Sequence, residues 1–322
     1  MSVALLFIDG VGIGRKDPAV NPLASLSSLL SHFVDAPGEA LPDGGEIQPV
    51  DATFGVRGRP QSASNQTAIL TGEPAPALIG RHVLGFPTPP LRGLLLAKSI
   101  VRRMVEAKRT ATFVNCYPAG YLDALGLARR PSSAADVSIP PRAVRRLRPS
   151  ATTLAFAAAH VPLRTLDDAR AGLGLTNDID GERANARGFS VPRRTPEEAA
   201  QVFWRTAAGA DFALFEHYLA DEAGHARDWP AALAALTTFD CFARAVIAQR
   251  PAGAQVLVCS DHGNVEDLST RSHTLGQVPV LGFGLPKGAL RSLRSVADVG
   301  VLVLELLGLE GRAVPAQREA AS

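Results

Sequence analysis

Little in this sequence is strongly biased. Its 322 residues include only three cysteines, Cys116, Cys241 and Cys259, and no CxxC pair. That set argues against a disulfide framework and against a thiolate metal cage. Cys259, inside the apolar run VLVCS, reads as core. Lysine is scarce as well: only four of the 33 basic residues are lysine, and the rest are arginines, each a potential phosphate fork. The formal net charge is +2, and this near balance gives no support to an electrostatic nucleic-acid binder. No run reaches the roughly 18 apolar residues of a membrane span. The opening MSVALLFIDG is short for a signal-peptide core and is interrupted by Asp9. The expected setting is a soluble cytoplasmic protein, with neither a nucleic-acid nor a membrane partner.

Hydrophobic residues make up 46% of the chain and charged residues 20%, enough apolar material for a sizeable core. Short apolar runs bounded by turn residues read as buried strands at 3–8, 112–115, 212–215, 255–259 and 278–283. Helical patterns lie between them at 91–107, 196–208, 229–249 and 295–307. Thr195 is placed to cap the second of these, with Glu197 and Glu198 in its first turn. Strands alternating with helices predict an α/β fold with a mainly parallel sheet. The rhythm breaks between 117 and 192. There a Pro/Arg-rich piece (139–149), an Ala-rich helical piece (151–160) and a polar loop (176–187) replace it. The expected organisation is a core of 1–116 and 193–310, an insertion or small cap at 117–192, and a loose tail at 311–322.

Five places carry chemistry. Asp9 ends the first strand and opens DGVGIG, where Arg15 and Asp17 stand in place of the glycine a dinucleotide or Walker loop would need. What remains is an acid at the carboxyl edge of a sheet, where ligands of open α/β folds gather. Taken alone, Asp9 reads equally as a turn residue or a metal ligand. Ser260-Asp261-His262-Gly263-Asn264 directly follows the strand 255–259. Carboxylate beside imidazole suits Zn²⁺, Mn²⁺ or iron. Asp221 and His225, spaced i,i+4, share one helix face. By itself such a pair is more often an ordinary helix pair than a metal site. His273, in RSHT, is the fourth, eleven residues past His262. Ser62, in PQSASNQT, leads into a helix that Gly72 would end. A serine there serves as an N-cap or as a nucleophile activated by helix-end N–H groups and a metal. Ser64 and Thr67 are its rivals.

Taken together and in this order, Asp9, Ser62, Asp221, His225, Asp261, His262 and His273 resemble the alkaline phosphatase superfamily of metalloenzymes. The similarity is greatest to cofactor-independent phosphoglycerate mutase and phosphopentomutase. It covers about 1–115 and 195–308. The resemblance implies a three-layer alkaline-phosphatase-like core with a small, mostly helical insertion. It implies two divalent metal ions, Mn or Zn. One would be held by Asp9, Ser62, Asp261 and His262, the other by Asp221, His225 and His273. Ser62 would be the nucleophile of a phosphatase or phosphomutase acting on a small phosphorylated metabolite. The segment SASNQ departs from the mutases, which have Gly-His where this chain has Asn65-Gln66. The chain is also shorter, and its insertion is too small for a full mutase cap, which favours a hydrolase. A phosphodiesterase or sulfatase of the same superfamily is the alternative, although the sulfatase C/S-x-P-x-R segment is not matched at Ser62. A non-catalytic metal-binding or ligand-binding homologue is the other. Asn65, Gln66, Arg57, Arg59, Arg81 and His82 are candidate substrate contacts. Thr176–Asp180 could face the crevice from the insertion, and the basic run at 142–148 reads as a solvated face.

Overall fold

The computed structural model describes residues 2–127 and 146–310. Most of the basic run at 142–148, and the expected tail at 311–322, lie outside the described residues. Among the described residues there are eight strands: β1 (Ser2–Ile8), β2 (Glu46–Val50), β3 (Ala111–Phe113), β4 (Cys116–Tyr117), β5 (Arg164–Thr165), β6 (Phe212–His217), β7 (Ala254–Cys259) and β8 (Val278–Phe283). Six of them form one sheet in the order β2-β8-β7-β1-β6-β3.

Four consecutive strands, β7, β1, β6 and β3, run parallel. Their side chains alternate between two apolar layers. Val3, Leu5 and Phe7 face one layer, while Ala4, Leu6 and Ile8 face the other. This is the period-two consequence of the pleat, and burial on both faces is why the strand is apolar throughout. The first layer is covered by helices Ser62–Thr71, Pro89–Lys98, Ile100–Glu106, Ala151–Ala158 and Ala297–Leu306. The second is covered by Pro196–Ala207, Leu219–Ala226 and Trp229–Ala248. The result is the expected α/β architecture with helices on both sides of a mostly parallel sheet.

Several details differ from the sequence reading. β8 runs antiparallel to both neighbours, β7 and β2. The pattern at 91–107 is two helices, because Ser99 adopts extended ψ (141°) and caps the second with its side chain on the Arg102 N–H. β2, with Pro49 in it, is an edge strand, the position that tolerates a missing donor. By length and composition, helix Trp229–Ala248 is apolar enough to cross a membrane, and more than half of it is buried in this fold. Thr237, Thr238, Asp240 and Arg244 interrupt its apolar residues and hide that property from a search for unbroken apolar runs. Its Phe239, Phe242 and Val246 pack in the second layer.

The segment 117–192 holds two kinds of structure. Helix Ala151–Ala158 joins the first core layer, with Phe156 stacked on Phe113 at 5.1 Å between ring centroids. The rest includes a two-stranded parallel ribbon, β4 with β5, over a small cluster of Cys116, Leu166, Ala169, Ala184 and Val191. That ribbon is too short to leave a strand pattern in the sequence.

Helix Ser62–Thr71 is seated by a close backbone approach. A Cβ at Gly300, in helix Ala297–Leu306, would lie 2.1 Å from the Ile69 carbonyl oxygen. Gly300→Ala is therefore expected to cost about 1–3 kcal/mol through forced displacement of that helix. Gly93→Ala, at a helical site with open space around it, should be neutral or stabilise by up to about 1 kcal/mol. Urea denaturation of the two variants checks this; equal midpoints would refute the close-contact account.

Candidate metal centre

The carboxyl ends of β1, β6 and β7 meet at one edge of the sheet. Asp9 follows β1 there, and its N–H donates to the His217 carbonyl at 2.8 Å. Asp261 and His262 follow β7 and are fully buried. The Asp261 carboxylate accepts from the His262 N–H at 3.0 Å, while the His262 Nε2 lies 3.4 Å from Asp9 and 3.5 Å from Asp261. Ser62 is the first residue of its helix, and its Oγ is 2.9 Å from that same Nε2. Gln66, one turn along on the same face, donates from Nε2 to Asp9 and to Asp261, each at 3.2 Å.

A second group adjoins the first. Asp221 and His225 lie on helix Leu219–Ala226, with Asp221 Oδ2 to His225 Nε2 at 3.3 Å. His273 Nε2 is 3.0 Å from His225 Nε2 and 3.6 Å from Asp221 Oδ1. The His273 ring stacks on His262 at 3.7 Å, 16° from parallel. Seven candidate residues read from widely separated segments thus converge.

The donor chemistry fits divalent cations. His273 Nδ1 is 2.7 Å from the Pro60 carbonyl, and His225 Nδ1 is 2.8 Å from that of Arg271. Each Nδ1 must donate to its carbonyl, so in the neutral rings two Nε2 lone pairs face each other beside a carboxylate. That arrangement calls for a cation between them. Asp9 Oδ1 is buried with no hydrogen-bond partner. Ligand atoms of Asp9, Asp261 and His262 lie within 4.8 Å of one another, as do those of Asp221, His262 and His273. Burial and the neighbouring Asp261 and Asp221 charges push the Asp9 carboxyl well up. Burial and Asp221 push Asp261 to about 6. Burial holds His262 and His273 down at about 4, neutral and ready to ligate. Burial opposes ionisation of Asp221 too, but the His225 hydrogen bond, the His262 imidazolium that forms only at low pH and the Asn264 hydrogen bond win and hold it at about 2.

Two supports were not legible in the sequence. Buried Glu266 accepts from the N–H groups of Gly12 (2.9 Å) and Asn264 (2.7 Å) and from the Thr274 hydroxyl. It ties the Asp9, His262 and His273 loops together. A Cβ at Gly12 would lie 2.2 Å from its carboxylate, which accounts for a glycine there without any phosphate loop. Asn264 donates to the Asp221 carboxylate at 2.7 Å and so aims it. Neither residue stands in a spacing that announces this role.

A cavity of about 670 Å³ opens over Asp9, Ser62, Gln66 and Asp221. Several expected contacts do not line it. Asn65 is fully buried and donates to the Ala52 and Asp261 carbonyls at 2.8 and 2.9 Å, so it braces the site from behind. Ser64 and Thr67 are buried, with hydroxyls on the Gln61 and Ala63 carbonyls, and only Ser62 of the three faces the cavity. Arg59 bonds the His273 carbonyl. Arg57, Arg81 and His82 are also absent from the lining; His82 packs near Gly58. The segment 117–192 supplies Thr176 and Asn177, as read from the sequence, together with Arg183, Arg187 and several aromatic residues that were not.

Glu216, at the end of β6, also lines this cavity and bonds the Thr152 hydroxyl. Burial raises its carboxyl from 4.5 to about 7. Between those values the folded state holds a proton that the unfolded chain has lost, so stability falls as pH rises through this window. In chelator-treated protein, Glu216→Gln should remove a decline on the order of 3 kcal/mol between about pH 4.5 and 7. Denaturation midpoints across that range are the measurement; an unchanged slope would contradict it.

A family model described as the metalloenzyme superfamily matches residues 198–311. The 2,3-bisphosphoglycerate-independent phosphoglycerate mutase of Dinoroseobacter shibae is 34% identical over 127 residues, 37% of this chain and 25% of that protein. A phosphopentomutase from Methylobacterium sp. (strain 4-46) is 40% identical over 99 residues, 30% of this chain and 24% of that one. The chain thus spans about a quarter of the length of these curated relatives. Among solved structures, alkaline phosphatase from the Antarctic bacterium TAB5 aligns over 95% of this chain and 98% of its own, with a TM-score of 0.56 at 14% identity. A cold-active alkaline phosphatase from Shewanella sp. aligns over 95% and 100%, with a TM-score of 0.54 at 14% identity. Residues 198–311 thus match the metalloenzyme superfamily model, two phosphomutases are similar over about a third of the chain, and the chain has the alkaline-phosphatase fold.

Proposed function

We propose that the chain is a two-metal phosphoryl-transfer enzyme, a phosphatase or phosphomutase, with Ser62 as nucleophile and a small phosphorylated metabolite as substrate. The observation that carries this reading is the position of Ser62 Oγ. It lies at the cavity floor, 2.9 Å from His262 Nε2 and beside the Asp9 and Asp261 carboxylates. Asp9, Ser62, Asp261 and His262 would hold one cation, and Asp221, His225 and His273 the other. When bound, two divalent cations offset the three buried carboxylates, favour the Ser62 alkoxide and stabilise charge on the phosphoryl oxygens. Three carboxylates with three imidazoles suit Mn²⁺ and Zn²⁺.

The rest is done by the chain. The N-terminus of helix Ser62–Thr71 adds positive potential where the phosphoryl group sits. Ser62 gives its hydroxyl proton to solvent and attacks phosphorus in line, the bond to the ester oxygen breaks, and the departing alkoxide takes a proton from solvent. Water, or a second substrate hydroxyl, then accepts the phosphoryl group from the serine. Gln66 keeps the two carboxylates parallel but cannot shuttle protons as an imidazole would. The short insertion favours release to water over internal transfer. The described cysteines are unpaired thiols, in keeping with a reducing, cytoplasmic setting.

The Mn²⁺-loaded or Zn²⁺-loaded protein should release phosphate from a panel of phosphomonoesters. Ser62→Ala and treatment with chelator should each lower the rate by roughly a thousandfold or more, on the scale of losing a catalytic nucleophile. Full activity in Ser62→Ala would sink the serine mechanism. Either metal should also raise the unfolding temperature of the metal-free protein, an effect that grows with metal concentration. His273→Ala, which removes one cation's imidazole, should reduce that shift, and calorimetric titration should show fewer or weaker sites.

A further inference from the structure

The cavity above Ser62 is larger and more aromatic than a three-carbon phosphate requires. At about 670 Å³ it falls within the roughly 300–1,000 Å³ of sites that enclose drug-sized ligands. Tyr117, Tyr121, Tyr218 and Phe189 contribute to its lining. Tyr117 and Tyr121 stack on each other at 5.5 Å, 23° from parallel. Their hydroxyls are anchored: Tyr121 donates to the Arg148 carbonyl at 3.1 Å, and Tyr117 accepts from the Thr153 hydroxyl at 3.3 Å. Anchored rings form a shelf whose ordering cost is already met before a ligand arrives. Arg183 and Arg187, four residues apart and so on one helix face, also line the cavity. Arg183 is paired with Glu222, while Arg187 has no carboxylate partner among the described residues.

From this combination we infer that the preferred substrate is a phosphate monoester whose alcohol carries a planar aromatic ring, the ring lying against the Tyr117–Tyr121 shelf with Arg187 facing the anionic end. The inference rests on the phosphoryl-transfer reading and names the substrate class for the same site. The physical basis is stacking: ring faces attract, and tyrosine supplies rigid contact area with few rotors. Metabolites without a ring, such as phosphoglycerates and glycerol phosphates, leave that shelf uncovered.

Two matched pairs isolate the ring from leaving-group chemistry: adenosine 5′-monophosphate against ribose 5-phosphate, and benzyl phosphate against ethyl phosphate. Affinity is measured by calorimetry on metal-loaded Ser62→Ala, and kcat/KM on the metal-loaded wild type. At least one ring-bearing member should bind about tenfold more tightly than its partner, as expected for one stacked ring. Tyr121→Ala should shrink that ratio toward one, mainly through KM, while Tyr121→Phe keeps it. An advantage confined to the nucleotide would identify a nucleoside source, and one confined to benzyl phosphate a small aryl source. Equal affinities within both pairs, or a ratio untouched by Tyr121→Ala, would overturn the inference even if Ser62-dependent phosphate release is found. Ring-selective binding without any such release would instead count against the catalytic reading and overturn the substrate assignment, leaving only a ring-selective phosphate-ester binding site.

Discussion

Three aspartates and three imidazoles crowd one corner of the sheet, and the mutual repulsion of the carboxylates, two of them buried, is the constraint around which the rest is arranged. Asp9 and Asp261 sit at the ends of adjacent strands, so the register of β1 and β7 sets how close their charges come. Water cannot relieve them, because Asp261 and His262 are fully buried. Protein dipoles do part of the work. Gln66 spans both carboxylates, backbone N–H groups point at Asp261, and Asn264 holds Asp221. The remaining need is for positive charge, and the opposed Nε2 atoms of His225 and His273 mark one place for it. Such a corner is expensive for folding and suits a task that binds cations.

Much of this was legible in the sequence, and the reason is geometric. A parallel sheet exposes its chemistry at strand ends. An apolar run followed by Asp-Gly, or by Ser-Asp-His-Gly-Asn, therefore marks the end of a strand and places a candidate ligand there. Thr195, capping helix Pro196–Ala207 with Glu198, was equally plain. What escaped depended on partners far away in the chain. β8 is buried on both faces, and a buried strand has the same composition whichever way it runs. Glu266 does its work by accepting donors from residues at positions 12 and 274, a relation no local pattern records.

The arginines make the same point from the other side. Arg57, Arg59 and Arg81 are neighbours of Ser62 in sequence, yet Arg59 is spent on a loop carbonyl and none of the three lines the cavity. Arg183 and Arg187 are more than a hundred residues away and do line it. Within the segment 117–192, helix Ala151–Ala158 belongs to the core layer, while Tyr117, Tyr121, Thr176, Asn177 and Phe189 are among its described residues that line the cavity. The candidate metal ligands stand at strand ends and on the elements that follow them, and much of the remaining cavity lining comes from this segment. The two can therefore diverge independently.

The margins of the sheet have a consequence of their own. One border strand, β2, is interrupted by Pro49, and the opposite border strand, β3, is three residues long. Neither offers a long row of unpaired donors and acceptors onto which a second chain could zip. Self-association through continuous intermolecular sheet, the route toward fibrils, is thereby discouraged at both ends, and assemblies of this protein would have to form through helical or loop surfaces instead.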